Sequence, residues 1–390
     1  MSEWKEYKLG EVGEIITGKT PSVRNPEDWG NKFLFITPSD YCNYGKYAKD
    51  SIRKLSVFGL ERLKMKVLPP KSILVTCIGS DMGKVVMNNV MCITNQQINA
   101  IVPYKEYDND FVYYSLLNAY DTLRVLGGDG TAVPIVNKSD FENIVLKLPP
   151  LDEQKRIAGV LSSLDDKIDL LNRENATLEA LAETLFRHYF IENPDPTWKE
   201  GKIADLVDFN PNRKLTKNED SPYIDMANIE TQGYAPSSWR MRPFASGTKF
   251  INGDAIMARI SPCLENGKAA YIDFLEDGQV GWGSTEFLVM RSKMGLHPFF
   301  AYIMTRYDDF RDHAVSSLVG LSGRQRVDLD NLLKYSIFIP DEKAITRFNR
   351  EMEMIVSKMR NNQLQMRTLA FQRDIILPRL MSGEVKVIGL

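Results

Sequence analysis

Residues 151–190 read LDEQKRIAGVLSSLDDKIDLLNRENATLEALAETLFRHYF, a stretch in which apolar residues return at alternating intervals of four and three. The seam they form consists of Ile157, Leu161, Leu164, Ile168, Leu171, Asn175, Leu178, Ala182, Leu185 and Tyr189. Such heptad spacing is typical of a helix that packs along its length against another helix. The pair Pro149-Pro150 and the acids that follow it mark where this helix begins.

A second seam of the same kind follows Pro340. It consists of Ile345, Phe348, Met352, Ile355, Met359, Asn362, Met366, Leu369, Arg373 and Ile376. Residues 152–190 carry a net charge of −3, whereas residues 341–379 carry +3, and opposite charges favour pairing within one chain. An antiparallel pair would bring Asn175 close to Asn362, and buried asparagines of this kind set the register of paired helices.

The chain repeats one plan. Trp4-Lys5-Glu6 opens the first copy, and Trp198-Lys199-Glu200 opens the second, 194 residues later in a chain of 390. The two helical seams overlay at an offset of 191 residues. A duplicated chain predicts internal pseudo-two-fold symmetry, and duplex DNA has a two-fold backbone of its own.

Short β-rich segments and turns predict a mixed α/β domain in each copy. The expected strands are residues 33–37, 72–78, 85–87 and 98–102, then 255–260, 269–272 and 286–290, with helices at 110–123 and 298–309. The predicted fold class is therefore α/β (α+β), with similar domains at residues 1–150 and 192–340. Two long antiparallel coiled-coil helices, in residues 151–191 and 341–390, would separate them as a ruler of ~58 Å.

Composition is that of an ordinary soluble protein, with 43% hydrophobic and 26% charged residues and a net charge of −2. We find no apolar run near the ~20 residues that a membrane helix needs, and no signal peptide at the N-terminus. The four cysteines form no CxxC pair. These features predict a cytoplasmic protein with reduced cysteines and no membrane partner.

Local charge, unlike net charge, is compatible with nucleic-acid binding. Residues 46–71 carry a net charge of +6. The comparable part of the second copy contains Arg213, Lys214, Lys217, Arg240, Arg242, Lys249, Arg259 and Lys268. Basic stretches of this kind can neutralise phosphates. The alternative is that they form ordinary solvated faces.

Three loops in each copy carry polar side chains that suit contacts with DNA. The candidates are Ser80, Lys84, Asn95, Gln96, Gln97 and Thr131 in the first copy, and Arg259, Ser284, Thr285, Glu286, Arg324, Gln325 and Arg326 in the second. Amides can bond adenine, glutamate can accept from cytosine, and arginine suits guanine or phosphate. The alternatives are polar turns that satisfy their own backbone and surface ion pairs. Because the copies differ here, they would read different sequences.

Catalysis finds little support in the residues. The sequence contains neither HExxH nor GxSxG, and its three histidines have no metal-ligand spacing, so we predict no catalytic and no metal-binding residues. The segment from Gly79 to Lys84 lacks the phosphate-loop pattern, because Val85 follows the lysine. A nuclease would have to use Asp195 and Glu200, which lie in a short connector.

Several stretches resemble the specificity subunits of type I restriction-modification systems. LPPLDEQKRI at residues 148–157 and LFRHYF at 185–190 resemble the two ends of the family's central helix, and LPRLMSGEV at 377–385 resembles its C-terminal end. STEF at 284–287 and RQRV at 324–327 also fit the family's target-recognition domains. The opening of the second helix departs from the pattern, because IPDEK at 339–343 lacks the second Pro, the Leu and the Gln.

The resemblance implies a non-catalytic reader of double-stranded DNA. Each target-recognition domain would bind one half of an asymmetric, bipartite site. Two methyltransferase subunits would dock on the helices, and restriction/translocase subunits would join them. S-adenosylmethionine, ATP and Mg would then be bound by the partners and no cofactor by this chain. The alternative is a stand-alone DNA-binding adaptor, whose helices should lack spare apolar residues such as Leu170, Leu181, Phe190, Met354 and Phe371.

Overall fold

The computed structural model describes residues 4–128, 134–293, 295–321 and 323–387. The chain divides into two compact units, one of residues 1–170 with 365–390 and one of residues 171–364. Each unit contains one mixed α/β domain and part of each of two long helices.

The first domain is built on a five-stranded sheet in the order β2-β10-β7-β8-β5. The strands are β1 Lys5–Lys8, β2 Gly13–Thr17, β3 Trp29–Gly30, β4 Phe33–Ile36, β5 Tyr47–Ala48, β6 Arg53–Leu55, β7 Ile73–Thr76, β8 Val85–Asn88, β9 Cys92–Thr94, β10 Ile98–Pro103 and β11 Val145–Leu148. The helices are α1 Leu9–Val12, α2 Val57–Arg62, α3 Asn109–Asn118, α4 Tyr120–Leu126 and α5 Lys138–Glu142. A second sheet has the order β3-β6-β4-β9, and β1 pairs with β11.

The long helix α6 Leu151–Phe186, extended by a π-helical turn at Arg187–Glu192, leads into the second domain. The strands that follow are β12 Lys199–Lys202, β13 Val207–Phe209, β14 Asp220–Ile224, β15 Arg240–Pro243, β16 Thr248–Phe250, β17 Ala255–Ala258, β18 Ala269–Tyr271, β19 Gly281–Gly283, β20 Phe287–Ser292, β21 Leu318–Val319, β22 Arg326–Val327 and β23 Ser336–Ile339. The helices are α7 Ile203–Leu206, α8 Phe299–Arg306, α9 Asp308–Ser316, α10 Leu329–Leu332 and the long α11 Glu342–Met381.

The two domains share a core topology, to which the first domain adds β5 at the edge of its main sheet. The sheet β13-β20-β17-β18 repeats β2-β10-β7-β8, and the pair β12-β23 repeats β1-β11. In both second sheets a parallel pair, β4-β9 or β14-β19, lies beside an antiparallel strand, β6 or β15. Phe111 and Tyr114 of α3 are fully buried in the first core, and Phe299 and Tyr302 of α8 are fully buried in the second. The predicted duplication of a mixed α/β domain is confirmed.

Most residues of the predicted seams face the interior of the helix pair. The buried ones include Ile157, Leu161, Leu171, Asn175, Met352, Ile355, Met359, Asn362 and Met366. Leu164 and Ile168 are half-buried. Within each unit the helices run antiparallel, since residues later in α6 contact residues earlier in α11. Tyr189 bonds Glu351 in one unit, and Asp165 bonds Arg373 in the other.

Asn175 and Asn362 meet, as the seams predict. Asn362 Nδ2 donates to Asn175 Oδ1 at 2.8 Å and to Glu174 Oε2 at 2.9 Å, while Asn175 Nδ2 donates to the carbonyl of Met359 at 3.3 Å. Both asparagines are buried. Since a buried amide is costly when it is unpaired, the pair specifies one register of the two helices.

Replacing Asn175 with alanine should destabilise the chain by about 1–3 kcal/mol, because the buried amide of Asn362 loses a partner. Replacing both asparagines with leucine should recover most of that loss, since no buried amide then remains unpaired and Glu174 keeps its ion pair with Lys358. Urea unfolding of the two variants beside wild type measures the difference. A double variant as unstable as Asn175→Ala would show that the amide pair is not the cause.

Two expectations from the sequence require correction. The helices predicted at residues 110–123 and 298–309 are each broken, at Ala119 and Tyr307, so that α4 and α9 start new segments. The apolar pattern continues through both breaks, which is why it predicted one helix. Phe190 does not face outward from the helix pair but packs against Phe186, Phe300 and other rings in the second core.

Candidate nucleic-acid interface

In the first domain, three chain segments meet at the end of β7. Cys77 N–H donates to the carbonyl of Gln97 at 2.7 Å, and Val136 N–H donates to the carbonyl of Cys77 at 2.9 Å. Gly79 N–H donates to the carbonyl of Pro134 at 3.0 Å. The three loops chosen from the sequence are therefore brought together by backbone hydrogen bonds. We call this arrangement the three-segment junction.

The second domain contains the same junction at the end of β17. Arg259 N–H donates to the carbonyl of Glu286 at 2.9 Å, and Val327 N–H donates to the carbonyl of Arg259 at 2.9 Å. Ser261 N–H donates to the carbonyl of Gln325 at 3.0 Å. The matching hydrogen bonds therefore make three pairs of residues equivalent in the two junctions: Cys77 and Arg259, Gln97 and Glu286, and Pro134 and Gln325.

A polar turn leads into the junction in both domains. Asn95 Oδ1 accepts from Gln97 N–H at 3.1 Å, and Ser284 Oγ accepts from Glu286 N–H at 3.1 Å. The first side chain of each candidate loop thus satisfies its own turn, which is the alternative that the sequence left open. The residues after it, Gln96 and Thr285, are exposed.

Gln96 and Gln97 remain the side chains of the first turn that can reach a ligand. Gln96 Oε1 accepts from Thr20 Oγ1 at 2.7 Å, and Gln97 Oε1 accepts from Asn95 Nδ2 at 2.8 Å. Within the described part of the chain, no acceptor bonds either NH₂ group. Both amides are thereby oriented with their donors available, as contact with a base edge requires.

The Gly79 turn presents its candidates less favourably. Ser80 is exposed, and its carbonyl accepts from Arg124 Nη1 at 3.3 Å. Lys84 pairs with Asp81 at 2.7 Å, and both side chains are nearly half exposed. This ion pair reduces the charge that Lys84 could offer a phosphate. Thr131 lies outside the described residues.

The second junction contains an ion pair that the sequence did not reveal. Arg326 Nε donates to Glu286 Oε2 at 2.9 Å and to Oε1 at 3.0 Å, and Arg326 Nη2 donates to Oε1 at 2.6 Å. These hydrogen bonds hold the pKa of Glu286 below its usual value. Both carboxylate oxygens already accept from Arg326, so the expected contact of Glu286 with cytosine would have to use a remaining lone pair beside the arginine.

The remaining candidates of the second domain differ in exposure. Arg324 is exposed, whereas Gln325 is half-buried and uses its carbonyl in the junction. Arg259 is half-buried, and its Nη2 donates to the carbonyl of Val327 at 3.1 Å. Arg259 therefore braces the junction, which leaves Arg324 and Arg326 as the cations of this group that face solvent.

Acids outside the basic stretch at residues 46–71 pair with three of its cations, and acids within the stretch pair with two more. Its ion pairs are Lys46–Asp110, Lys49–Asp169, Lys54–Asp50, Arg62 with Glu27 and Asp28, and Lys64–Glu61. Lys46 is only 6% exposed. The stretch therefore offers fewer cations to phosphates than its charge of +6 predicts.

Sequence analysis counted Arg53, Arg240 and Arg242 only as basic residues and did not predict that they lie over aromatic rings on the second sheets. The guanidinium of Arg53 lies 3.5 Å from the ring centre of Trp29. In the second domain, Arg242 lies 4.8 Å from the ring centre of Tyr223 and 5.5 Å from that of Trp282. Arg53 and Arg240 pair in register with Phe35 and Tyr223. An alternating Arg-Met-Arg at residues 240–242 was the only available signal.

No group of three or more His, Cys, Asp or Glu side chains in the described ranges is arranged to hold a metal ion. None of the helices in those ranges combines the length and apolar character that crossing a membrane requires.

Comparisons with known proteins agree with this architecture. Residues 1–180 match the family model of the type I restriction modification DNA specificity domain. The chain is 25% identical over 417 residues to the type I restriction enzyme MjaIX specificity subunit of Methanocaldococcus jannaschii, with 99% of this chain and 94% of that protein covered. It is 38% identical over 148 residues to the HindI specificity subunit of Haemophilus influenzae, which covers 37% of this chain and 32% of that protein.

A solved structure shows the same fold. The type I restriction-modification system S subunit from M. genitalium superposes with a TM-score of 0.53 at 16% sequence identity, covering 97% of this chain and 96% of that one. The duplicated domains, the two long helices and a relative similar over nearly the full length point to one family. Over nearly its whole length the chain is similar to a specificity subunit of a type I restriction-modification system, and its residues 1–180 match the model of that family's DNA specificity domain.

Proposed function

We propose that this chain selects the DNA sequence for a type I restriction-modification complex, with each domain reading one half of a bipartite, asymmetric site. The observation that carries the proposal is the three-segment junction, whose backbone is the same in both domains while its side chains differ. Gln97 in one domain corresponds to Glu286 in the other, and Ile135 corresponds to Arg326. Like scaffolds with unlike polar groups suit two different half-sites.

The chain's own part in the reaction is recognition and not catalysis. Its polar junction side chains are amides, hydroxyls, arginines and a paired carboxylate, which are groups that bond base edges and phosphates. Methyl transfer from S-adenosylmethionine and ATP- and Mg-dependent cleavage would take place on methyltransferase and restriction/translocase subunits. The predicted role of the helices as a ruler between half-sites stays a prediction.

The helices carry apolar side chains that suit the docking of two methyltransferase subunits. Leu170 and Leu181 of α6 are 48% and 45% exposed, and Met354 and Phe371 of α11 are 63% and 67% exposed. Exposed apolar groups on paired helices favour a protein partner over solvent. They also disfavour the alternative of a stand-alone adaptor, which has no use for them.

Mapping N6-methyladenine across the host genome, with and without the gene for this chain, tests the proposal. One bipartite, asymmetric motif should lose its methylation when the gene is deleted. Methylation that does not change, although methyltransferase subunits are expressed and co-purify with the chain, would contradict the proposed role.

Replacing Gln96 and Gln97 with alanine should relax one half of that motif and leave the other half intact. Each lost bidentate contact with a base reduces discrimination by about 1–3 kcal/mol, or roughly 5- to 150-fold. The control is Asn95→Ser, because serine holds the same turn in the second domain. Methylated motifs sequenced from strains that carry each variant provide the measurement. Loss of both half-sites in the alanine variant would refute one domain per half-site.

A further inference from the structure

Arg326 is held by one edge of its guanidinium and leaves the other edge open. Its Nε and Nη2 donate to the Glu286 carboxylate. No acceptor in the described part of the chain bonds Nη1. The Arg326 side chain is 49% exposed and that of Glu286 is 22% exposed. The Nη1–Nη2 end of the guanidinium is therefore free to donate two parallel hydrogen bonds.

Both residues are fixed by the backbone around them. Arg326 lies opposite Ile260 in an antiparallel bridge, and the neighbouring Val327 N–H bonds the carbonyl of Arg259. Glu286 is held by the Ser284 turn and by its own carbonyl in the junction. With both Cα positions set, the carboxylate restricts the arginine to one orientation before any ligand arrives, which reduces the entropy lost on binding.

We propose that Arg326 reads a guanine in the half-site of the second domain, donating from Nη1 and Nη2 to its O6 and N7, and that Glu286 is the residue that positions it. This inference rests on the proposed function and names the base chemistry of one of its two half-sites. A guanine presents two acceptors side by side in the major groove, which match the two donors of an end-on guanidinium.

A phosphate is the weaker match for Arg326. The carboxylate of Glu286 cancels most of the charge that would attract a phosphate, since the Arg326–Glu286 pair is neutral as a unit. The directional donors remain, and direction is what separates one base from another. The exposed Arg324, two residues earlier and with no carboxylate bonded to it in the described part of the chain, has the character expected of a phosphate ligand.

The first domain has no equivalent of this arginine. At the two corresponding positions of its junction stand Gln97 and Ile135, neither of which is charged. Any dependence on Arg326 should therefore be confined to one half of the recognised motif. Within this chain, the pair Arg326–Glu286 would therefore act in the half-site of the second domain alone.

For the test, the full chain is purified as a complex with its methyltransferase subunits. Binding of this complex is then measured to DNA duplexes in which each base pair of the motif is changed in turn. Wild type should lose about 5- to 150-fold in affinity when one guanine of the second half-site is replaced. For Arg326→Lys, replacing the same guanine should reduce affinity by no more than about 3-fold, because an ammonium lacks the planar pair of donors that distinguishes guanine from other bases. Discrimination at the first half-site should not change.

Glu286→Gln, Arg324→Lys and Arg326→Gln, which removes the positive charge, complete the set of variants. Glu286→Gln should weaken discrimination at the same guanine, because an amide offers one acceptor oxygen in place of two and carries no negative charge to hold the arginine. Arg324→Lys is the matched control, a change of the same type two residues away that should leave every base preference intact. Equal melting temperatures of the complexes show that each variant is folded.

The outcomes separate this inference from the proposed function. If wild type shows a bipartite preference that Arg326→Lys leaves unchanged, Arg326 is not the reader, although the chain remains a specificity subunit. If Arg326→Gln lowers the salt slope of binding by ~1 and changes no base preference, the arginine contacts a phosphate and the inference is overturned. If wild type shows no sequence preference, the proposed function itself fails.

Discussion

Replacing Glu179 with alanine is expected to destabilise residues 171–364 by about 3–5 kcal/mol, because it removes one member of a buried charged pair. Glu179 lies on α6 and is about nine-tenths buried. Tyr302 Oη donates to Glu179 Oε1, and Arg306 Nε lies 3.5 Å from the same oxygen. Burial raises the pKa of Glu179, while Tyr302 and Arg306 lower it.

The expected loss of stability comes from the buried groups that would lose their partner when Glu179 becomes alanine. The Arg306 side chain is only 8% exposed, and its Nε donates to Tyr302 Oη at 2.8 Å. Its Nη1 and Nη2 donate to the carbonyls of Gly267 and Gly233 at 2.7 Å. Without Glu179, a buried cation keeps its hydrogen bonds but loses the negative charge that neutralises it.

The matched control is Glu183→Ala, one helical turn further along α6. The pKa of Glu183 is raised by burial and then by the charge of Glu179. The ionised carboxylate of Glu183 therefore destabilises the fold through these two effects as well as attracting Arg306 and Arg311. Its removal should change stability by less than about 1 kcal/mol. Guanidinium chloride unfolding of both variants provides the comparison. Equal losses would indicate that helix packing, and not the charge on Glu179, explains the effect.

Replacing both Phe371 and Ile375 with glutamate is expected to abolish assembly with the proposed methyltransferase subunits while leaving the chain folded. The two side chains lie one turn apart on α11 and are 67% and 41% exposed. Apolar residues at the centre of an interface often contribute 2 kcal/mol or more each, and a buried charge in their place adds a desolvation cost. Together these effects correspond to an affinity loss of at least ~1000-fold.

Gln365→Glu with Gln372→Glu provides the control, because both positions are exposed on α11 and the change adds the same two charges without removing apolar surface. Light scattering of the purified complexes reports which subunits remain bound. A complex of wild-type stoichiometry formed by the Phe371 and Ile375 variant would place the docking surface elsewhere on the chain.

The helix pair and the duplication follow from sequence alone, because their signals are local or repeated. Heptad spacing places Asn175 and Asn362 in seams, and the opposite charges of the two helices favour their pairing. The structure confirms both, with a hydrogen bond between the two amides. A buried tyrosine–carboxylate hydrogen bond also occurs in both copies, from Tyr114 to Asp165 and from Tyr302 to Glu179. The spacing of these residues in the sequence does not predict either contact.

The loops that form the candidate interface were found from sequence, but their chemistry was not. Three segments of each copy were chosen by residue type, and the junction brings them together. Asn95 and Ser284, chosen as possible readers, hold their own turns. Residue type tells which groups can donate or accept, while only the fold tells which of them are already occupied.

The sequence by itself determined the duplicated α/β domains and the antiparallel helices, because periodicity and repetition can be read directly along the chain. Its short motifs supplied the resemblance to type I specificity subunits. What the tertiary structure decided is which charges remain available. Lys46 is buried against Asp110, 64 residues away, and Arg326 is bound by Glu286, 40 residues away. Ion pairs between such distant residues depend on where the folded backbone places each Cα, and no local pattern encodes that position.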